Sequence, residues 1–126
     1  MKFQPDTFEG SNAISRHEPN AVWVNGQRHQ GSLLVPWKGE VQLWPVADIS
    51  ALMPEHFARV RALVPELVIF GSGARLRFIA PALYRSLIDA RIGLETMDSA
   101  AACRTYNVLA AEGRSVVLAL LPSLPA

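Results

Sequence analysis

Six apolar residues in succession, Val116 to Leu121, follow Ser115 near the C-terminus. No polar residue alternates with them, so a strand built from this run must be covered on both faces. Strands of that kind lie inside layered α/β sheets. The segments upstream agree. Pro54 suits a helix start, and Phe57, Val60 and Val64 follow at helical spacing. "ELVIFG" reads as a buried strand ending at Gly71, and Arg75–Ala80 as a second short extended piece. Pro81 opens another helix with Leu83, Leu87 and Ala90 on one face, and Gly93 is placed to end it. "LETM" is a short strand, Asp98 an N-cap for the next helix, and Gly113 its stop. Strands alternating with helices imply crossover connections and parallel pairing. The C-terminal half is therefore expected to be a mainly parallel sheet with helices packed on it.

The first half has another rhythm. Val22-Trp23-Val24, then Asn25-Gly26, then a run through Leu33-Leu34-Val35 is a hairpin signature. Pro36 closes that run and Pro45 closes Val41–Trp44, which suits strand ends or edges. This half is expected to add antiparallel strands or a small second sheet. With 126 residues, half of them hydrophobic, the chain is expected to form a single α/β domain over residues 1–126.

Composition narrows the function classes. The net charge is +1, too small a field to steer binding to nucleic acid or an anionic membrane. The single cysteine, Cys103, allows neither a disulfide framework nor a four-thiolate zinc site. His17, His29 and His56 have no metal-ligand spacing; His17 and His29 fall in the β-rich half, where they would face each other across strands. "MKFQPDTFEG" lacks the apolar core of a signal peptide, and the uncharged tail from Ser115, broken by Pro122 and Pro125, is too short to span a bilayer. A soluble, cytoplasmic protein with no transmembrane segment, metal or cofactor is the expectation.

No residue set specifies a reaction. There is no GxSxG elbow, and Cys103 sits mid-helix, where an inert buried thiol is the commoner case. Gly71-Ser72-Gly73 follows a strand, with Arg75 and Arg77 close by, and open α/β sheets gather ligands at strand C-termini. The same turn reads sooner as tight local structure than as a ligand loop, because no helix follows it directly. Arg104-Thr105-Tyr106-Asn107 sets four hydrogen-bonding residues into a helix of otherwise apolar spacing. They either tie the helix to strand-end loops or line a pocket. On the first reading, Tyr106 or Asn107 should bond main chain around Gly71–Gly73 or Met97–Ser99. On the second, Gly71, Ser72, Gly73 and Arg75 form one wall of the pocket and Met97, Asp98, Tyr106 and Asn107 another.

Several stretches together resemble a known family: Gly31-Ser32-Leu33-Leu34-Val35-Pro36, Gly71-Ser72-Gly73, Glu95-Thr96-Met97-Asp98-Ser99, and Ala102–Asn107 through Glu112-Gly113-Arg114. The likeness, from about Ile14 to Leu121, is to a small α/β family of mostly uncharacterised bacterial and archaeal proteins that includes the mitochondrial respiratory complex I assembly factor 3. It implies a three-layer domain: a mixed central sheet, helices on one side and a smaller antiparallel β layer on the other. It implies no known enzymatic activity. It implies a non-catalytic interaction domain, an assembly or accessory factor for a membrane-bound complex that acts through protein partners. The reading from residues alone keeps an alternative beside it: a small-molecule or anion site, with or without catalysis, at the C-terminal ends of the parallel strands.

Overall fold

The computed structural model describes residues 10–123. Met1–Glu9, most of the stretch read for a signal core, and Pro125 lie outside the described residues. Strands β1 (Ile14–Glu18), β2 (Ala21–Val24) and β3 (Gln27–Gln30) form an antiparallel sheet in that order. A second sheet holds β4 (Leu33–Val35), β5 (Gln42–Leu43), β6 (Leu67–Gly71), β7 (Gly93–Met97) and β8 (Val116–Leu120). Its order is β5-β4-β8-β6-β7. β6 runs parallel to β7 and β8, whereas β4 runs antiparallel to β8 and β5. The apolar run that opened the sequence reading is thus the central strand, and every residue of it is buried. The helices are α1 (Pro54–Arg61), α2 (Arg85–Asp89) and α3 (Ser99–Ala111), with 3-10 turns at Ile49–Ala51 and Pro81–Tyr84.

Side chains alternate across the large sheet, so its two faces build two cores. Leu33, Val35, Ile69, Val116, Leu118 and Leu120 meet Ile14, Val22 and Val24 of the small sheet and Ala102, Tyr106 and Ala110 of α3. Leu34, Val68, Phe70, Val117 and Ala119 meet Phe57 and Val60 of α1 and Leu87 of α2. The mixed sheet and smaller antiparallel layer are as expected; the long helix α3 shares its face with that layer, and α1 and α2 cover the other. On that second face Trp44, Phe57 and Phe70 stand edge to face, with centroids 5.5 to 6.3 Å apart. Each such pair adds about 0.5–1.5 kcal/mol beyond the area it buries.

Local expectations differ from the structure at identifiable places. Asn25 and Gly26 turn the β2–β3 hairpin with φ of 53° and 85°, but its second strand stops at Gln30. Leu33–Val35 leaves to join the large sheet, since three fully buried residues fit its interior and not an edge hairpin. The run Val41–Trp44 shortens to Gln42–Leu43. Val64 lies past α1 at φ 54° and is exposed, because Pro65 disfavours a helical residue before it. Arg75–Ala80 forms no strand; the Ser72 hydroxyl bonds Arg75 O and Arg77 N and curls the chain into a loop. Gly93 begins β7 rather than ending a helix. Arg91 takes the left-handed position instead, at φ 60°, with Ile92 N bonded to Leu87 O. Asp98 caps α3 through Ala101 N, and Gly113 ends it. No helix among the described residues is long and apolar enough to cross a membrane.

Candidate functional site at the strand ends

Gly71, Ser72 and Gly73 sit where β6 ends, beside the ends of β7 and β8. Gly71 O accepts from Leu121 N at 3.0 Å, and Ser72 N donates to Met97 O at 2.8 Å. Gly73 O accepts from Ser99 N, also at 2.8 Å. Ser99, which is fully buried, completes the junction: its Oγ accepts from Gly73 N at 2.9 Å and donates to Leu121 O at 2.6 Å. The close approach explains Gly71. A Cβ there would stand 2.7 Å from Leu120 Cδ1 and 3.0 Å from Ser99 Oγ. Ser99 is the residue that sequence reasoning passed over. A serine after an N-cap aspartate looks like ordinary helix-start polarity, and only the fold brings it to two other strand ends.

The N-terminus of α3 is closed by its own chain. Asp98 Oδ1 takes Ala101 N, Gly73 O takes Ser99 N, and Ala102 N returns to Asp98 O. Those amides are committed to protein acceptors.

A cavity of about 500 Å³ opens on the other side of the turn, between the loop after β6, the Ile49–Ala51 turn and the end of β8. Ser72, Gly73 and Arg75 line it, as do Arg77, Asp48 and Leu121. The Ser72 hydroxyl donates to Arg75 O at 2.7 Å, lies 3.1 Å from Met97 O and accepts from Arg77 N at 3.0 Å, so the loop that carries both arginines is pinned. The Asp48 carboxyl is held below the usual carboxylate range, chiefly by Ser50, whose hydroxyl and amide it accepts, and last by the charge of Arg77. Closeness in sequence to Gly71-Ser72-Gly73 was the local signal for Arg77; Asp48 had none.

The other sequence-derived candidates lie elsewhere. Met97 packs against the core on the α3 side. Tyr106 and Asn107 do bond main chain, but not at the strand ends. The buried Tyr106 OH donates to Pro36 O at 2.9 Å. Asn107 pairs with Ile14 on β1: its Oδ1 accepts from Ile14 N and its Nδ2 donates to Ile14 O, both at 2.8 Å. The amide acts as one more rung beside an edge strand. The expectation of a bond to Gly71–Gly73 or Met97–Ser99 is corrected because α3 packs against β1 and the end of β4: Ile14 on the edge of the small sheet meets Asn107, and the carbonyl of Pro36, just past β4 of the large sheet, meets Tyr106.

Burial pushes the Cys103 thiol up to about 12 and raises Tyr106 as well. Both stay protonated at neutral pH and supply no anionic nucleophile. His17 and His29 stand in register on either side of Val22, roughly two strand spacings or 10 Å apart. Burial lowers the His17 pKa, with Asp98 raising it and Arg104 lowering it further.

The comparisons with known proteins fit this geometry. NADH dehydrogenase (ubiquinone) 1 alpha subcomplex assembly factor 3 of Bos taurus is 34% identical over 111 residues, covering 86% of this chain and 60% of the relative. The chain thus spans about 60% of the length of the assembly factors it matches. An uncharacterised protein of Rhodobacter capsulatus is 33% identical over 91% of this chain and 88% of its own. The crystal structure of a Bordetella parapertussis protein superposes with a TM-score of 0.85 at 34% identity, covering 90% of this chain and 97% of that one. Residues 14–121, nearly everything the two sheets and three helices are made of, match one family as a unit, and the chain belongs to it: the family described as "Protein of unknown function (DUF498/DUF598)".

Proposed function

We propose that this chain is a non-catalytic, partner-binding domain that works in the cytoplasm as an assembly or accessory factor for a membrane-bound protein complex. Two things support the reading. The similarity to proteins named as assembly factors runs over 86% of the chain. On the molecule itself, the loop after β6 presents Leu76 and Phe78 to solvent, 50% and 78% exposed, on a backbone that Ser72 pins. Large apolar side chains held outward on a fixed loop are what a protein interface uses as anchors. That loop is the observation that carries the proposal.

The test is quantitative capture from the native cell with tagged wild type and a Phe78→Asp variant. Subunits of one membrane-bound complex should be recovered with wild type and lost with the variant. Equal recovery with both chains would remove the loop from the interface, and recovery of no common protein would remove the function.

A second reading rests on the neighbouring cavity, where Arg75 and Arg77 face a space of about 500 Å³. Two guanidiniums there suit a small anion. Phosphate, nucleotides and small carboxylic acids should then raise the melting temperature of wild type and not of an Arg75→Ala variant.

A further inference from the structure

We infer that the loop Ala74–Ile79 docks an extended acidic–apolar segment of a partner protein, with partner carboxylates against Arg75 and Arg77 and partner apolar side chains over Leu76 and Phe78. The inference rests on the partner-binding reading above and names the chemistry of the partner.

The loop is two-sided. Arg75 and Arg77 line the cavity, whereas Leu76 and Phe78 do not and are exposed. The two arginines alternate with the two apolar residues along the loop, and the two sets meet different surroundings. A partner strand alternating carboxylate and apolar residues has the same period, so it can meet both sets in one register. Charge favours an acid. Two guanidiniums face the cavity against one carboxylate, Asp48, which Ser50 already engages. Among the described residues the ion pairs are Arg16–Glu18 and Arg114–Glu66, so neither loop arginine forms an ion pair there, and the charge of Arg77 is the least of the influences on Asp48. The two guanidiniums on the cavity wall are donors suited to carboxylate oxygens. Preorganisation adds to this: the Ser72 hydroxyl fixes Arg75 O and Arg77 N before any partner arrives, which lowers the ordering cost of binding. A nucleic acid fits less well, because its repeated phosphates call for a basic stripe, and Asp48 interrupts the positive charge here.

The experiment follows the amide spectrum of 15N-labelled full chain during titration with a capped octapeptide alternating Glu and Leu. Controls are the matching Lys–Leu octapeptide and inorganic phosphate. The Glu–Leu peptide should shift the amides of residues 72–79. Arg75→Ala with Arg77→Ala should weaken it about tenfold, and Phe78→Ser about fivefold. Asp48→Asn should tighten it about twofold, because it removes the one repelling charge and keeps a capping side chain. These are surface substitutions, and unchanged spectra elsewhere confirm that the variants are folded. Equal binding of the Lys–Leu peptide would overturn the inference. So would phosphate shifting the same amides while Phe78→Ser leaves peptide affinity unchanged, which marks a small-anion site. If cellular capture depends on Phe78 but the Glu–Leu peptide leaves the spectrum unmoved, partner binding stands and the acidic chemistry falls.

Discussion

At Ser99 a single hydroxyl joins three parts of the molecule: the turn after β6, the first residue of α3 and the end of β8. It is fully buried, so its partners have no water to fall back on. Ser99→Ala leaves Gly73 N–H and Leu121 C=O unpaired, and each orphaned group costs about 1–3 kcal/mol. The variant should unfold at clearly lower urea; a loss below about 0.5 kcal/mol would show that the junction is held by other contacts. Cys103 makes a pH prediction. Its thiol ordinarily ionises near 9 and does so near 12 in the folded chain, because burial disfavours the thiolate. Below pH 9 both states hold the proton and pH has no effect through this group. Between pH 9 and 12 the unfolded chain loses the proton and the folded one keeps it, so stability falls as pH rises. The slope approaches about 1.4 kcal/mol per pH unit for one proton. Tyr106 shifts in the same direction, so the comparison is with Cys103→Ala. Urea midpoints should fall less steeply in the variant over that window, and parallel curves would show the thiol to be accessible.

Elements were legible wherever a local rule settled them. The period and flanking signals placed β6, β8, α3 and the Asn25-Gly26 turn, because capping and turn chemistry act within four residues. Errors fell where a distant contact decided. Arg75–Ala80 has strand-like residues but no neighbour to pair with, and Ser72 bends it. Arg91 adopts the left-handed conformation two residues before the glycine that sequence favoured, because Leu87 must be buried and Ile92 bonds back to its carbonyl. Helix α3 carries the clearest case. Tyr106 and Asn107 were legible as needing partners, but the partners lay 70 and 93 residues away in sequence, on Pro36 and Ile14. Asn107→Ala should therefore cost about 1–3 kcal/mol. It should also speed hydrogen exchange at Ile14 while leaving the Gly71–Gly73 turn protected. Unchanged exchange at Ile14 would mean that water replaces the amide without penalty.

At the scale of the whole molecule, the fold class was readable because a strand buried on both faces and a strand–helix alternation leave few architectures. The arrangement of layers was not, since periodicity tells that α3 has an apolar face but not which sheet face receives it. The candidate pocket was half readable for the same reason. Ser72, Gly73 and Arg75 are neighbours in sequence, whereas Asp48 and Leu121 arrive through the topology. The packing has a consequence for cooperativity. Ile14, Val22 and Val24 of the small sheet share a core with Leu118 at the centre of the large one, and Trp44 packs into the core on the opposite face. If the chain is one domain, neither layer keeps its buried surface once the other is lost, and unfolding is two-state. Three tryptophans report on it from different places: Trp23 on the small sheet, Trp37 bonded to Ala110 O through its indole N–H, and Trp44. Variants that retain one tryptophan each, with phenylalanine at the other two positions, should give fluorescence midpoints in guanidinium that coincide with the same protein's far-UV circular dichroism within about 0.2 M. A Trp23 signal lost at lower denaturant than the circular dichroism of the same variant would show the small sheet opening by itself, and the 1–126 unit would then be two cooperative parts rather than one.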